Sequence, residues 1–403
     1  MTLPSKKIDT LVLTLLLLLG GGLISYLILN IDRCQWDFAA YYYAAVAWVH
    51  GGNSYDLATL STLAQKQLPY NYVYPPMTRL LFVPFALVSF HTAVILFITV
   101  KIAALIMLLI VWRKNFIKSK NQFLWFAILI FGFNATLFQD FKVGNISIIE
   151  QLLLWFGFTF LIRKSPVQFC LCIIGASMFK MFPILFLLIL PFTDFKKKYQ
   201  MLFISVAIFA FAIAAQAIGS PTSFAGFMAN AQALMYERGS YNPSTFVLLR
   251  DIAGHLSTAF HITISLQNVY GIFAVNCLAI AGISVLAIRK AKSFATDSND
   301  KTYLITLVCI ACFTYALIHP RLKDYSYILL LVPAFIVITR SVSLRVAVPL
   351  VALTMITSKS PLPGVNWVLP YFPLLVSAGL WVLLVWESFN PSMQKVNGGK
   401  SER

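Results

Sequence analysis

The chain has 403 residues, of which 59% are hydrophobic and 11% charged, and its formal net charge is +17. A soluble domain carries about 25% charged residues, while apolar runs of about 18 residues or more recur along this chain, which excludes a soluble globular protein and describes an all-α polytopic membrane protein. The surplus Lys and Arg sit in short runs between apolar segments (Lys6-Lys7, Arg113 to Lys120, Arg163-Lys164, Lys196 to Lys198, Arg289 to Lys292). That is the positive-inside pattern of a bilayer protein and not a nucleic-acid footprint, so the lipid bilayer is an expected partner and nucleic acid is not. No polar segment is long enough to fold apart, so residues 1–403 read as one integral-membrane domain.

In chain order, a first span covers 9–30, with Lys6 and Lys7 placing its start in the cytoplasm. No small-residue cleavage site stands out, so it reads as an uncleaved span. The first outer loop, 31–75, then faces the periplasm or exterior. It holds Asp37 in a Tyr-rich helix, a Gly51-Gly52 turn, Asp56, and Tyr74 before Pro75-Pro76. Residues 77–112 would reach about 54 Å as one helix, against a hydrocarbon core of about 30 Å. Pro84 and the stretch 89–92 are the expected breaks, giving a short helix and one crossing, or two spans.

Spans 121–139 and 146–162 flank a polar outer segment, 139–145, that ends in Gly144-Asn145. Residues 167–192 have basic flanks on both sides and Lys180 in the middle, which suits a broken hairpin turning near Lys180. Span 199–218 leads to a second large outer segment, 219–262, carrying Glu237, Arg238, Asn242, Arg250 and Asp251. Span 264–288 returns to a cytoplasmic loop at 292–301. Spans 302–318 and 325–339 flank the outer turn 319–324, and spans 346–358 and 366–386 close the chain. The count is roughly 11 spans plus broken or re-entrant helices, and charge bias puts the four polar segments on one side.

An acid among aromatics beside a membrane has its carboxyl pushed up by desolvation, so Asp37 suits a general base as well as a first-turn acid favoured by the helix dipole. Asp56 after the Gly-Gly turn suits a cap. Lys180 in an apolar run is costly and requires a partner or an anion. His319, Arg321, Lys323 and Asp324 form a cationic patch where positive charge is normally depleted, which suits a phosphate, with internal pairing through Asp324 as the alternative. Arg238 and Arg250 carry the same signal more weakly, and Asn242 before Pro243 reads as a turn. The six cysteines (34, 170, 172, 277, 309, 312) read as small hydrophobes, and the His residues lack metal-ligand spacing. No Walker loop, dinucleotide fingerprint or nucleophile elbow is present, so no cofactor is expected.

These motifs together resemble glycosyltransferase family 87, the polyprenol-phosphate-mannose-dependent mannosyltransferase type of the GT-C superfold. Residues 37–56 are similar to its D-F-x-x-Y-x-x-A and G-x-x-x-Y-D opening, which includes Tyr41. Residues 72–87 resemble its Y-x-Y-P-P segment, 176–192 its K-x-x-P run, and 242–251 and 319–333 two later outer motifs. The family's Gly-Gln stands here as Gly144-Asn145, and its tandem His is replaced by Asp324-Tyr325-Ser326. The resemblance implies a polyprenyl-phosphate-linked sugar donor, a glycolipid or glycan acceptor, inverting transfer on the outer face of the plasma membrane, and no obligatory metal. It implies that Asp37 is the base and that His319 to Tyr325 serve the donor. A transporter or flippase, or a ligase of lipid-linked saccharides, is the alternative. The apolar inner halves of the spans favour the enzyme.

Overall fold

The computed structural model describes Thr14, Leu18 and residues 20–117, 121–294, 301–341, 344–356 and 367–390. The start of the first expected span with Lys6-Lys7, Lys118 to Lys120, most of the 292–301 loop, the join between the last two expected spans, and the basic tail lie outside the described residues. Among the described residues the protein is helical, with no strand.

Helix α1 (Gly20–Leu29) leads to α2 (Trp36–Val49) and α3 (Leu57–Ala64). A 3-10 segment, Pro76–Phe82, and α4 (Val83–Ala86) follow, and then α5 (Phe90–Asn115). The apolar run 77–112 thus resolves into a short helical piece and one long helix. Ser89 makes the break: its Oγ accepts the Thr92 N–H and caps α5. Helices α6 (Gln122–Val143) and α7 (Ser147–Ile162) are joined by a three-residue turn. The polar segment expected as a loop from 139 is therefore helical as far as Val143. Asp140 turns inward from it, and its Oδ2 lies 2.6 Å from the Lys101 ammonium of α5, both side chains fully enclosed.

Helix α6 is broken in its middle. Phe133, Asn134 and Ala135 stand in left-handed backbone, at φ of 52°, 62° and 51°. Left-handed backbone costs a non-glycine residue roughly 1–2 kcal/mol, so this run is a local strain that tertiary contacts must hold. Nothing in the hydrophobic pattern signals it.

The run 167–192, expected as a broken hairpin, is interrupted at the expected place: α8 (Pro166–Phe179) and a 3-10 segment, Phe182–Phe192, meet at Lys180 in extended backbone. The rest comprises α9 (Lys198–Gly219), α10 (Pro221–Ala233), α11 (Thr245–Phe260), α12 (Leu266–Phe294), α13 (Lys301–Ile318), a 3-10 segment Asp324–Leu330, α14 (Leu331–Ser341), α15 (Leu344–Thr354) and α16 (Phe372–Phe389). Six helices among the described residues are long and apolar enough to cross a membrane: α5, α6, α9, α12, α13 and Leu369–Phe389. Helix α13 is enclosed by protein on most of its length, whereas α9 and α12 present apolar side chains outward, among them Phe203, Phe211, Val275 and Leu278. Apolar surface around a long helix is stable in lipid and not in water. At the opposite end from Asp37, Trp112 packs edge-on against Trp125 and Trp155, and Phe116 against Trp155, knitting α5, α6 and α7 into a core.

Candidate active site

Asp37 lies in the first turn of α2, where the helix dipole favours an acid. The start of α2 is fastened to the end of α6 by two bonds. Gln35 N donates to the Lys142 carbonyl at 2.8 Å, and Gln35 Nε2 donates to the Phe141 carbonyl at 2.6 Å. The approach is tight enough to demand a glycine. Gly144 has φ +73°, and a Cβ there would lie 2.6 Å from Gln35 Oε1 and 2.8 Å from Phe38 Cβ.

The turn after Gly144 delivers Asn145, fully buried, to the Asp37 carboxylate. Asn145 Nδ2 lies 2.7 Å from Asp37 Oδ2, 2.9 Å from the Tyr41 hydroxyl and 3.1 Å from the Tyr74 hydroxyl, and Tyr41 donates to Tyr74 at 2.8 Å. On its other side Asn145 Oδ1 accepts from Ser147 N at 3.0 Å and Ser147 Oγ at 2.8 Å. Ser147 Oγ in turn accepts from Lys180 Nζ at 2.6 Å, and Lys180 forms an ion pair with Glu150 at 2.6 Å. A continuous polar chain therefore joins Asp37 to Lys180 through groups far apart in sequence.

The 319–325 turn closes the site. Its shape is set by the 242–244 segment: Asn242 Oδ1 accepts from Leu322 N at 2.9 Å, Ser244 Oγ donates to the Pro320 carbonyl at 2.7 Å, and the Tyr327 hydroxyl donates to the Pro243 carbonyl at 2.7 Å. His319 Nδ1 accepts the Arg321 N–H at 3.0 Å, which leaves the proton of the neutral ring on Nε2. Burial, helped by the charges of Lys180 and Arg321, pushes this imidazole down to about 3, so it stays neutral. Arg321 and Lys323 do not pair with Asp324. They grip Glu237 instead: Arg321 Nε and Nη2 reach Glu237 Oε2 and Oε1 at 2.9 Å and 3.1 Å, and Lys323 Nζ reaches Oε1 at 2.6 Å. Burial would raise the Glu237 carboxyl, but the two cations outweigh it and hold it below its usual value. Asp324 Oδ2 accepts from Asn134 Nδ2 at 3.1 Å, across to the break in α6.

Two cavities share this turn as a wall. The larger, about 500 Å³, is lined by Asp37, Tyr41, Asn134, Glu237, Asp324 and the amides of Asn71, Gln139 and Asn230. The smaller, about 340 Å³, is lined by Lys180, Glu150, His319 and a mainly apolar rim that includes Phe179, Phe182, Phe227 and Met228. Tyr74, Arg321, Lys323 and Tyr325 face both. Asp37 is half-buried at the edge of the larger cavity. Burial raises its carboxyl above the ordinary range, and the Asn145 hydrogen bond with the charges of Lys323 and Arg321 offsets part of that rise.

The sequence-derived candidates divide accordingly. Asp37, Tyr41, Tyr74, Asn145, Lys180, His319, Arg321, Lys323, Asp324 and Tyr325 converge. Asp56 caps α3, accepting the Thr59 N–H at 2.8 Å, and lines neither cavity. Asn242 buttresses the 319–325 turn as well as lining the smaller cavity. Arg250 is not drawn into either cavity, and its Nη2 holds the Glu237 carbonyl at 2.6 Å. Glu150, Ser147 and Asn134 escaped the sequence reading, and Glu237, named in the second outer segment, was given no role there. An acid in a span of an acid-poor chain was a usable signal for Glu150, since such a charge needs a partner. An amide in the same kind of apolar run was a weaker signal for Asn134. Among the described residues no three His, Cys, Asp or Glu side chains converge as a metal-binding group.

The model of glycosyltransferase family 87 matches residues 72–320, more than half of the chain. That range includes Asn145, Lys180, Asn242 and His319, and it stops short of Asp37 on one side and Arg321 on the other. No curated protein and no solved structure matches the chain. With its long apolar helices and this match, the chain belongs to glycosyltransferase family 87 and is a membrane-embedded glycosyltransferase.

Proposed function

We propose that the protein transfers a hexose, such as mannose, from a polyprenyl-phosphate donor to a glycolipid or glycan acceptor, with inversion, on the periplasmic or outer face of the plasma membrane. In this reading the chain crosses the bilayer roughly eleven times in a GT-C arrangement, and the shorter helices complete the crossings. The acceptor and the transferred hexose meet in the larger cavity, whose amides and aromatic rings suit sugar hydroxyls and faces. The polyprenyl phosphate occupies the smaller one, whose apolar rim suits the lipid chain.

Asp37 removes the proton from the acceptor hydroxyl as that oxygen attacks the anomeric carbon. The bond from that carbon to the phosphate oxygen breaks, and the electron pair leaves on polyprenyl phosphate. Lys180, Arg321 and Lys323 meet the charge that develops on the leaving phosphate, and the His319 Nε2–H donates to it without titrating. The observation that carries the reading is the shared wall: one side holds a raised carboxyl in a polar cavity and the other a set of cations in an apolar one.

The test is transfer from a labelled polyprenyl-phosphate hexose in detergent micelles by the wild type and by Asp37→Asn. An amide oxygen still accepts from Asn145, so the variant keeps its fold. Loss of a general base lowers the rate by about 10²–10⁴-fold. Full activity in Asp37→Asn refutes the assignment, and a wild type that yields product only across a sealed membrane points to a transporter.

A further inference from the structure

The left-handed break in α6 is not needed to cross a bilayer, which a continuous helix accomplishes. It buries Phe133 in a stack on Tyr327, and it also acts on the polar groups beside it. It turns Asn134 out of the helix so that Nδ2 lies 3.1 Å from Asp324 Oδ2, and it brings Thr136 Oγ1 within 2.6 Å of the Asp324 carbonyl. Asparagine is the side chain, after glycine, that best tolerates this backbone.

Both side chains line the larger cavity together with Asp37. Asn134 has one N–H committed to Asp324, leaving the other N–H and the amide oxygen for a ligand. No protein group among the described residues hydrogen-bonds Asp324 Oδ1. A carboxylate oxygen beside an amide offers acceptors and a donor at adjacent points, the chemistry that reads two neighbouring hydroxyls.

We propose that Asn134 and Asp324 form the subsite that binds a pair of adjacent hydroxyls on the transferred hexose, and that the break in α6 is maintained to build it. The proposal rests on the donor reading above. It follows from adjacency: Asp324 succeeds Lys323, which lines both cavities, and in the donor reading the hexose is bonded directly to the phosphate that Lys323 meets. Burial pushes the Asp324 carboxyl up to about 6, against the pull of Asn134 and Lys323, so it is ionised and accepting at neutral pH. Asp324→Asn keeps the shape and removes the charge. Asn134→Gly removes the amide while giving the backbone the residue it tolerates best, so a merely structural role predicts unchanged ligand binding there.

The experiment measures binding of polyprenyl-phosphate mannose, its glucose analogue and sugar-free polyprenyl phosphate to the wild type and both variants, with thermal unfolding alongside. The expected result is that both variants lose about tenfold or more in affinity for the sugar-bearing lipid the wild type prefers. Their preference between the two epimers shrinks, while affinity for polyprenyl phosphate and the unfolding midpoint of Asn134→Gly do not fall. Unchanged affinity for the sugar-bearing lipids, or an equal loss for the sugar-free one, overturns the subsite. A wild type that binds polyprenyl phosphate no better than polyprenol overturns the donor reading itself, and the inference with it.

Discussion

In the proposed mechanism Asn145 orients Asp37 and favours its ionised form, and replacing it with Ala isolates that role. The substitution removes the 2.7 Å bond to Asp37 Oδ2 and the cap on Tyr41 and Tyr74, but leaves the carboxylate and all the cations in place. A hydrogen bond to a charged group contributes about 1.5–3 kcal/mol, and each 1.4 kcal/mol is a factor of ten in rate. If that stabilisation orients the base and favours its ionised form, kcat/KM falls by about 10- to 100-fold at neutral pH. The acid limb of the pH–rate profile moves upward at the same time, because the bond opposes the rise that burial imposes on Asp37. The assay is initial-rate transfer from a labelled polyprenyl-phosphate hexose across a pH series, with donor affinity measured separately. An unmoved limb, or one displaced downward, refutes the argument even if the rate falls, because a collapsed turn lowers activity without that signature.

In the wild type the same reasoning fixes a sign. As the proposed base, Asp37 would act when ionised, and its folded carboxyl lies above the ordinary range, so activity should be lost as pH falls through a value above that of an exposed Asp; His319→Gln, at a ring already neutral, should leave that limb where it is. Lys101→Met strands the enclosed Asp140 carboxylate and should destabilise the protein by about 3–5 kcal/mol, whereas Lys101→Met with Asp140→Leu should recover most of the loss in detergent unfolding. Gly144→Ala forces a Cβ against Gln35 and Phe38 at positive φ. Its strain of about 1–2 kcal/mol plus the clash should lower the unfolding midpoint and slow transfer, and wild-type values for both would sink the account of the α2–α6 junction.

The positions of the helices were legible because the membrane imposes a simple rule on sequence. Lipid cannot satisfy polar backbone, so apolar runs are helices and their interruptions are breaks. Ser89 marked the start of α5, Pro84 lies in the first turn of α4, and Lys180 marked the joint between α8 and the 182–192 segment, each a residue that does not fit the run around it. At the break over 133–135 the one local mark is Asn134, an amide in an apolar run; Phe133 and Ala135 are ordinary helical residues, and the contacts that hold the break come from Asp324 and Tyr327 of a distant segment. The end of α6 was misread for a related reason. Polar residues at 139–142 looked like a loop, but the Asp140 carboxylate is ion-paired with Lys101 from another helix, and the segment remains helical with Asp140 buried.

By itself the sequence determined a helical membrane protein, a set of candidate side chains, and the family resemblance that the match over 72–320 bears out. Those depend on composition, period and local motif. Only the tertiary structure decided how the charges pair: Lys180 with Glu150, Lys101 with Asp140, and Arg321 with Lys323 on Glu237 rather than Asp324. The same holds for the linkage of Asp37 to Lys180 through Asn145 and Ser147. The physical reason is range. Hydrophobic burial is non-directional and is written into each helix separately, whereas a hydrogen bond or ion pair in a dry interior requires two groups within about 3 Å, and which groups meet at that distance is a property of the packed chain.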